Sequence, residues 1–176
     1  TEPQVGRVYH FKVMSGELRA GQDLNNLRDR STERINQLFV VNGRKRESIP
    51  RLRAGEIGAC IKLKNSRIND TLAAESTDTQ VAPIAFPEAR VRNAIKVNSQ
   101  TDYDKVFSAL HSIAAEDPSV VIEPSQELGQ TIVHGQGRMH LDLIKYRIEK
   151  VNHLKFDWIR PKIPFRESIT IPSEST

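Results

Sequence analysis

The chain opens on a period of two. In Tyr9-His10-Phe11-Lys12-Val13 apolar residues alternate with polar ones, the pattern of a strand with one buried face. Ser15-Gly16 and Ala20-Gly21 punctuate the next stretch as turns. Ile35, Leu38, Phe39, Val40 and Val41 form a run of β-formers that stops at Asn42-Gly43, a strong hairpin signal. Pro50 and Gly55 break the chain again before Ile57-Gly58-Ala59-Cys60-Ile61-Lys62-Leu63. With no helical period between these short segments, residues 1–79 predict a small β-barrel. Residues 80–90 hold two prolines and follow neither period, so they predict a linker.

Beyond the linker the period changes. Val91–Val97 reads as a strand. Val106, Leu110, Ile113 and Ala114 then fall on one stripe of an amphipathic helix. Thr101 and Asp104 stand three apart as a capping pair at its start, and Asp117-Pro118 ends it, because a residue before proline avoids the α region. Ser119–Gln126 and Gln130–Gly135 predict two further strands. A second helix carries Leu141, Ile144, Ile148 and Val151 on a single face, and Leu154, Phe156 and Trp158 alternate in a last strand. The order β-α-β-β-α-β predicts a ferredoxin-like split βαβ over residues 91–170, a four-stranded sheet with both helices on one face. Residues 171–176 predict the start of a following domain. The fold class expected is therefore two-domain, β and then α+β.

Composition sets bounds on this picture. Of 176 residues, 38% are hydrophobic and 27% charged, the balance of a globular protein, and no apolar run approaches the ~20 residues that span a bilayer. The first ten residues carry no initiator Met and no basic or apolar leader, which suggests a segment of something longer. The single Cys60 sits in an apolar stretch and reads as a small buried side chain. One cysteine makes no intramolecular disulfide, so a reducing cytoplasm is expected. The charge is uneven. Residues 1–80 hold fourteen Lys/Arg against ten Asp/Glu, whereas residues 81–176 hold twelve of each. In the stretch 43–53, Arg44, Lys45, Arg46, Arg51 and Arg53 face only Glu47, which fits either a polyanion partner or a solvated loop.

Catalytic patterns are missing from the sequence. A phosphate loop needs G-x-x-x-x-G-K followed by Ser or Thr, and Gly135-Gln136-Gly137 continues into Arg138-Met139-His140 instead. These glycines read as turn residues at a strand-to-helix reversal. His134 and His140 flank the turn without a third donor at metal-ligand spacing, so a histidine hydrogen-bonded at the helix entrance is the expected role. No serine lies in G-x-S-x-G, and Glu116 and Asp117 are adjacent, which suits ending a helix rather than converging on a substrate. The third strand of the second domain offers no aromatic for stacking bases.

Six stretches, occurring in order across nearly the whole chain, resemble elongation factor G: GRVYHFKVMSGELRAGQDLNN, AGEIGACIKLKNSRINDTL, AFPEARVRNAIKV, LHSIAAEDPSVVI, GQTIVHGQGRMHLDLI and PFRESIT. The resemblance implies that 1–79 is that family's second domain, a translation-factor-type β-barrel, and 91–170 its ferredoxin-like third. It implies a ribosome-binding piece of a translational GTPase whose GTP and Mg site lies in an upstream domain of the same chain. No cofactor, metal or catalytic residue is then expected in these residues. The expected partners are small-subunit rRNA, ribosomal protein and the upstream GTPase domain. A monomeric, cytoplasmic protein with no membrane contact is expected. Candidate rRNA contacts are Lys12, Arg44, Lys45, Arg46, Arg51 and Arg53. Candidate residues for relaying nucleotide state between domains or to the ribosome are Gly135, Gly137, Arg138 and His140. The family reads Glu where this chain has Arg138 and Tyr where it has Met14, departures that imply a diverged paralogue. Alternatives are a ribosomal-protection protein of the tetracycline-resistance type, or a protein-interaction module outside translation.

Overall fold

The computed structural model describes residues 6–43, 45–74 and 77–164, and the chain divides into two compact units between Ile84 and Ala85. The stretch 165–176, which holds most of PFRESIT and the expected start of a further domain, lies outside the described residues, as do Arg44 and residues 75–76.

Among the described residues of the first unit, nine short strands run β1 (Val8–Lys12), β2 (Glu17–Arg19), β3 (Gln22–Asn26), β4 (Thr32–Ile35), β5 (Leu38–Asn42), β6 (Lys45–Ile49), β7 (Arg51–Arg53), β8 (Ile57–Ile61) and β9 (Leu72–Ala73). They pair as β1-β8-β5-β6, β2-β7 and β4-β3-β9, all antiparallel, and form the β-barrel. Alternation decides what faces inward. Tyr9 and Phe11 of β1 pack on a core of Val13, Leu18, Leu24, Ile35, Leu38, Leu52 and Cys60. The β5–β6 hairpin forms at the expected place, with Asn42 opposite Lys45 and Gly43 at φ +58, a left-handed value that glycine adopts without strain. Burial pushes the Cys60 thiol up to about 12, so it is an inert core side chain.

Polar groups tie down the loop after β8. The Glu33 carboxylate is 2% exposed and accepts from three consecutive amides, Lys64 (2.9 Å), Asn65 (2.6 Å) and Ser66 (3.0 Å), and from the Ser66 hydroxyl (3.1 Å). Asp70 closes the same loop by accepting from Asn26, Arg28 and the Arg67 amide. Beyond it, the Asn69 side chain donates to the Ile84 carbonyl (2.9 Å) and accepts from the Ile84 amide (3.1 Å). No strand or helix forms between residues 77 and 90.

The second unit runs β10 (Val91–Lys96), α1 (Gln100–Glu116), β11 (Val121–Ser125), β12 (Gln130–Gly135), α2 (Arg138–Val151) and β13 (Asp157–Ile159). The sheet order β11-β12-β10-β13 is antiparallel throughout, and the helices bury Val106, Leu110, Ile113, Leu141, Ile144 and Ile148 against Ile95, Val133 and Phe156 on one face. This is the predicted ferredoxin-like βαββαβ fold.

Two details differ from the sequence reading. The cap of α1 is Ser99, extended at φ −136 and ψ 151, whose hydroxyl accepts from the Asp102 amide at 3.1 Å. Thr101 already lies inside the first turn, and Asp104 instead accepts from the Gln100 side chain. Val151 continues the spacing of Leu141, Ile144 and Ile148 yet is 73% exposed, because the buried face of α2 ends at Ile148.

Candidate functional site

The cationic candidates of the barrel separate into two groups. One is the strand pair β2–β7, where the register sets Glu17 opposite Arg53 and Arg19 opposite Arg51. Glu17 receives Arg19 at 2.8 Å, Arg51 at 3.3 Å and Arg53 at 3.8 Å, and all three guanidinium side chains are more than half exposed. The Arg19 hydrogen bond holds the Glu17 carboxyl below the usual carboxylate range; burial opposes this, while Arg51 and Arg53 add to it. Three guanidinium groups around one carboxylate leave the ribbon net positive. Arg19 escaped the sequence reading because it lies 32 residues before Arg51 and joins it only by cross-strand pairing.

The second group lies on the four-stranded sheet. His10, Ala59, Phe39 and Ser48 form one row across β1, β8, β5 and β6. Lys12 lies two residues on from His10 and Arg46 two residues back from Ser48, which in antiparallel strands places both on the same face and toward the same end. Lys45, opposite Asn42, alternates to the other face at the hairpin tip. The run 43–53 is thus contiguous in sequence but splits in space.

The other candidates gather at the entrance of α2. Gly135 ends β12 with its backbone buried, and a Cβ there would sit 3.0 Å from Leu141 Cδ2 and 3.4 Å from His140 Nδ1. Neither Gly135 nor Gly137 has positive φ. Gly135 is needed for close packing rather than for turning, and Gly137, at φ −172, is an extended cap with no side-chain hydrogen bond. Both lie at the strand-to-helix reversal where the sequence places them, but neither is there for a left-handed backbone. His140 is bonded at the helix entrance, as the sequence indicated. Its Nδ1 accepts from the Gln136 amide at 3.2 Å, and its Nε2 faces Asp117 Oδ2 at 3.2 Å. Asp117 also accepts from the Ser119 hydroxyl (2.6 Å) and amide (2.9 Å). Burial opposes its charge, but the Ser119 bonds and then His140 outweigh burial and hold it below the usual range. His134 pairs separately with Glu123 at 2.9 Å on the sheet.

Arg138 is exposed in the first turn of α2, which carries no acidic residue. A cation there opposes the helix dipole. Arg138→Glu is therefore expected to stabilise the second unit by about 1 kcal/mol, read as a higher denaturant midpoint. An unchanged midpoint would mean the dipole at this end is already screened.

Among the described residues no three His, Cys, Asp or Glu side chains are placed to hold a metal ion, and no helix is long and apolar enough to cross a membrane. The turn at 135–137 does not suit a triphosphate either, since the Gln136 amide is taken by His140 and no Lys-Ser/Thr pair comes after it.

Comparison with known proteins agrees with this architecture unit by unit. Residues 6–73 match the family described as elongation factor Tu domain 2, and residues 86–158 match elongation factor G, domain III. A crystal structure of a protein from Thermus thermophilus aligns over 93% of this chain with a TM-score of 0.77 at 24% identity, and the chain spans 24% of that longer chain. With a translation-factor barrel followed directly by that family's third domain, the chain belongs to the elongation factor G family.

Proposed function

We propose that these two units form the ribosome-facing part of an elongation factor G-type translational GTPase. In this reading the barrel contacts small-subunit rRNA and the ferredoxin-like unit relays nucleotide state during translocation. The observation that carries it is the β2–β7 ribbon, where Arg19, Arg51 and Arg53 surround Glu17 on an exposed strand pair. A ribbon of guanidinium groups in fixed geometry suits a phosphate backbone. Lys12, Lys45 and Arg46 would extend the contact over the rest of the barrel, with Arg44 beside them in sequence. GTP and its Mg ion would be held by a further domain of the whole protein, not by these residues. Gly135, Gly137, Arg138 and His140 would carry the relay. A second reading, a specialised paralogue such as a ribosomal-protection factor, is favoured by the exposed Arg138 in a helix turn that suits acidic residues.

Binding to isolated small subunits, followed across a salt series, tests the proposal. The Arg19→Ala/Arg51→Ala/Arg53→Ala variant is expected to flatten the log–log salt slope by roughly 2 to 3, the loss of three phosphate contacts. Lys45→Ala should flatten it by less than about 1. An unchanged slope in the triple variant would remove the ribbon from the interface. No subunit binding by the unaltered chain at low salt would favour a protein-interaction module.

A further inference from the structure

The His140 side chain, at the start of α2, reaches both the preceding turn and the end of α1, and the Gln136 amide fixes where its proton sits. A backbone amide can only donate, so the Gln136 N–H directed at His140 Nδ1 at 3.2 Å requires that nitrogen to be unprotonated. The proton of the neutral ring is then on Nε2, the nitrogen that faces Asp117 Oδ2 at 3.2 Å at the end of α1. Gly135 permits the arrangement, since a Cβ there would press on both Leu141 and His140 Nδ1. The turn held this way also holds the backbone leading into it: the Gln136 side chain donates to the Pro87 carbonyl at 2.9 Å and the Gly135 carbonyl accepts from Arg90 at 2.9 Å.

We propose that His140 is a proton-sensitive clasp for the strand-to-helix turn at 135–137, closed in the Nε2–H tautomer and opened at its Gln136 side by protonation. An imidazolium has no acceptor, so a proton on Nδ1 sets one donor against another and releases the Gln136 amide. The Asp117 contact survives and becomes an ion pair. Protonation therefore does not detach the two helices but transfers the hold from turn-plus-helix to helix alone. The charged group that faces the ring is Asp117 from the end of α1; the Glu116–Arg147 pair bridges the helices separately at 2.8 Å, and Arg138 and Asp142, two positions either side of His140 on α2, lie on other faces of the helix. His134 faces Glu123 on the sheet and is engaged separately. The clasp does not depend on ribosome binding.

Nitrogen-15 spectra of the histidine rings, recorded on the 176-residue chain between about pH 8 and about pH 5, test this. At the upper end His140 should show an acceptor-type Nδ1 and a protonated Nε2. As its ring titrates, the Gln136 amide resonance should follow the same midpoint. Its exchange protection should fall roughly five- to tenfold beyond the intrinsic pH effect, as for one lost hydrogen bond. His140→Asn keeps an acceptor near the Nδ1 position and does not titrate, so Gln136 should stay protected across the range. A proton on Nδ1 at the upper end, or a Gln136 amide that ignores the titration of His140, would overturn the proposal. Both readouts come from the unaltered chain, so they stand even if a variant fails to fold.

Discussion

Glu33→Ala is expected to destabilise the barrel by about 3–5 kcal/mol, since three backbone amides and a hydroxyl lose a charged acceptor at once. The carboxylate is 2% exposed and holds residues 64–66, in a loop whose entry at Lys62 has φ +62. A lysine in the left-handed region is unfavourable by itself, so the loop depends on this acceptor for its shape. Burial acts to raise the pKa of Glu33, but the Lys64 and Asn65 amides and the Ser66 hydroxyl and amide prevail, so the folded value is depressed. That direction sets the sign. Stability from Glu33 is fully present above the unfolded value of about 4.3 and is lost as pH falls through the lower folded value. Amide NMR of the first unit during denaturant titration and acidification measures both effects. A loss below about 1 kcal/mol would mean that solvent replaces the carboxylate.

The second large effect is expected at Gly58, where β8 crosses the core face opposite Phe11. A Cβ there would overlap Leu52 Cδ1 and approach the Phe39 carbonyl to 3.3 Å, and Leu52 is 2% exposed, so it can yield only by displacing its core neighbours. Gly58→Ala should cost about 1–3 kcal/mol through overpacking. Leu52→Ala should cost about 2–5 kcal/mol through a cavity. Combined, the added methyl enters the space that Leu52 vacates, so the double variant should be more stable than the sum of the two by about 1 kcal/mol or more. Additive losses in the cycle would show that the barrel relaxes around the new methyl without touching Leu52.

These two residues mark the limit of what the sequence discloses. Periodicity located the β5–β6 hairpin, both helices and the split βαβ order, because each is written in neighbours two to four positions apart. Glu33 looks like any polar strand residue until the loop some thirty positions later folds over it. Gly58 looks like a weak point in a strand until Leu52 is placed against it. Ser99 took the cap from Thr101 because its extended backbone aims the hydroxyl at the Asp102 amide, a matter of dihedrals rather than spacing. The charge run at 43–53 was legible as charge. Its division into a sheet group and a ribbon, and the recruitment of Arg19 to the ribbon, depend on cross-strand register. The bonded histidine was foreseen at the α2 entrance, while the tautomer required the Gln136 amide to be placed.

The strand order also carries a consequence for synthesis. Among the described residues the barrel has its last strand when β9 ends at Ala73, so it can close while the rest of the chain is still being made. The second unit has no such partial solution. Its central strand β10 is the first element made, yet its two neighbours are β12 and β13, and β13 ends only at Ile159. Until then Val91–Lys96 has an unpaired edge and a hydrophobic face awaiting helices made after it. The two units therefore mature in sequence, with a folded barrel tethered to a nascent second unit whose sheet is completed by nearly its last described residues.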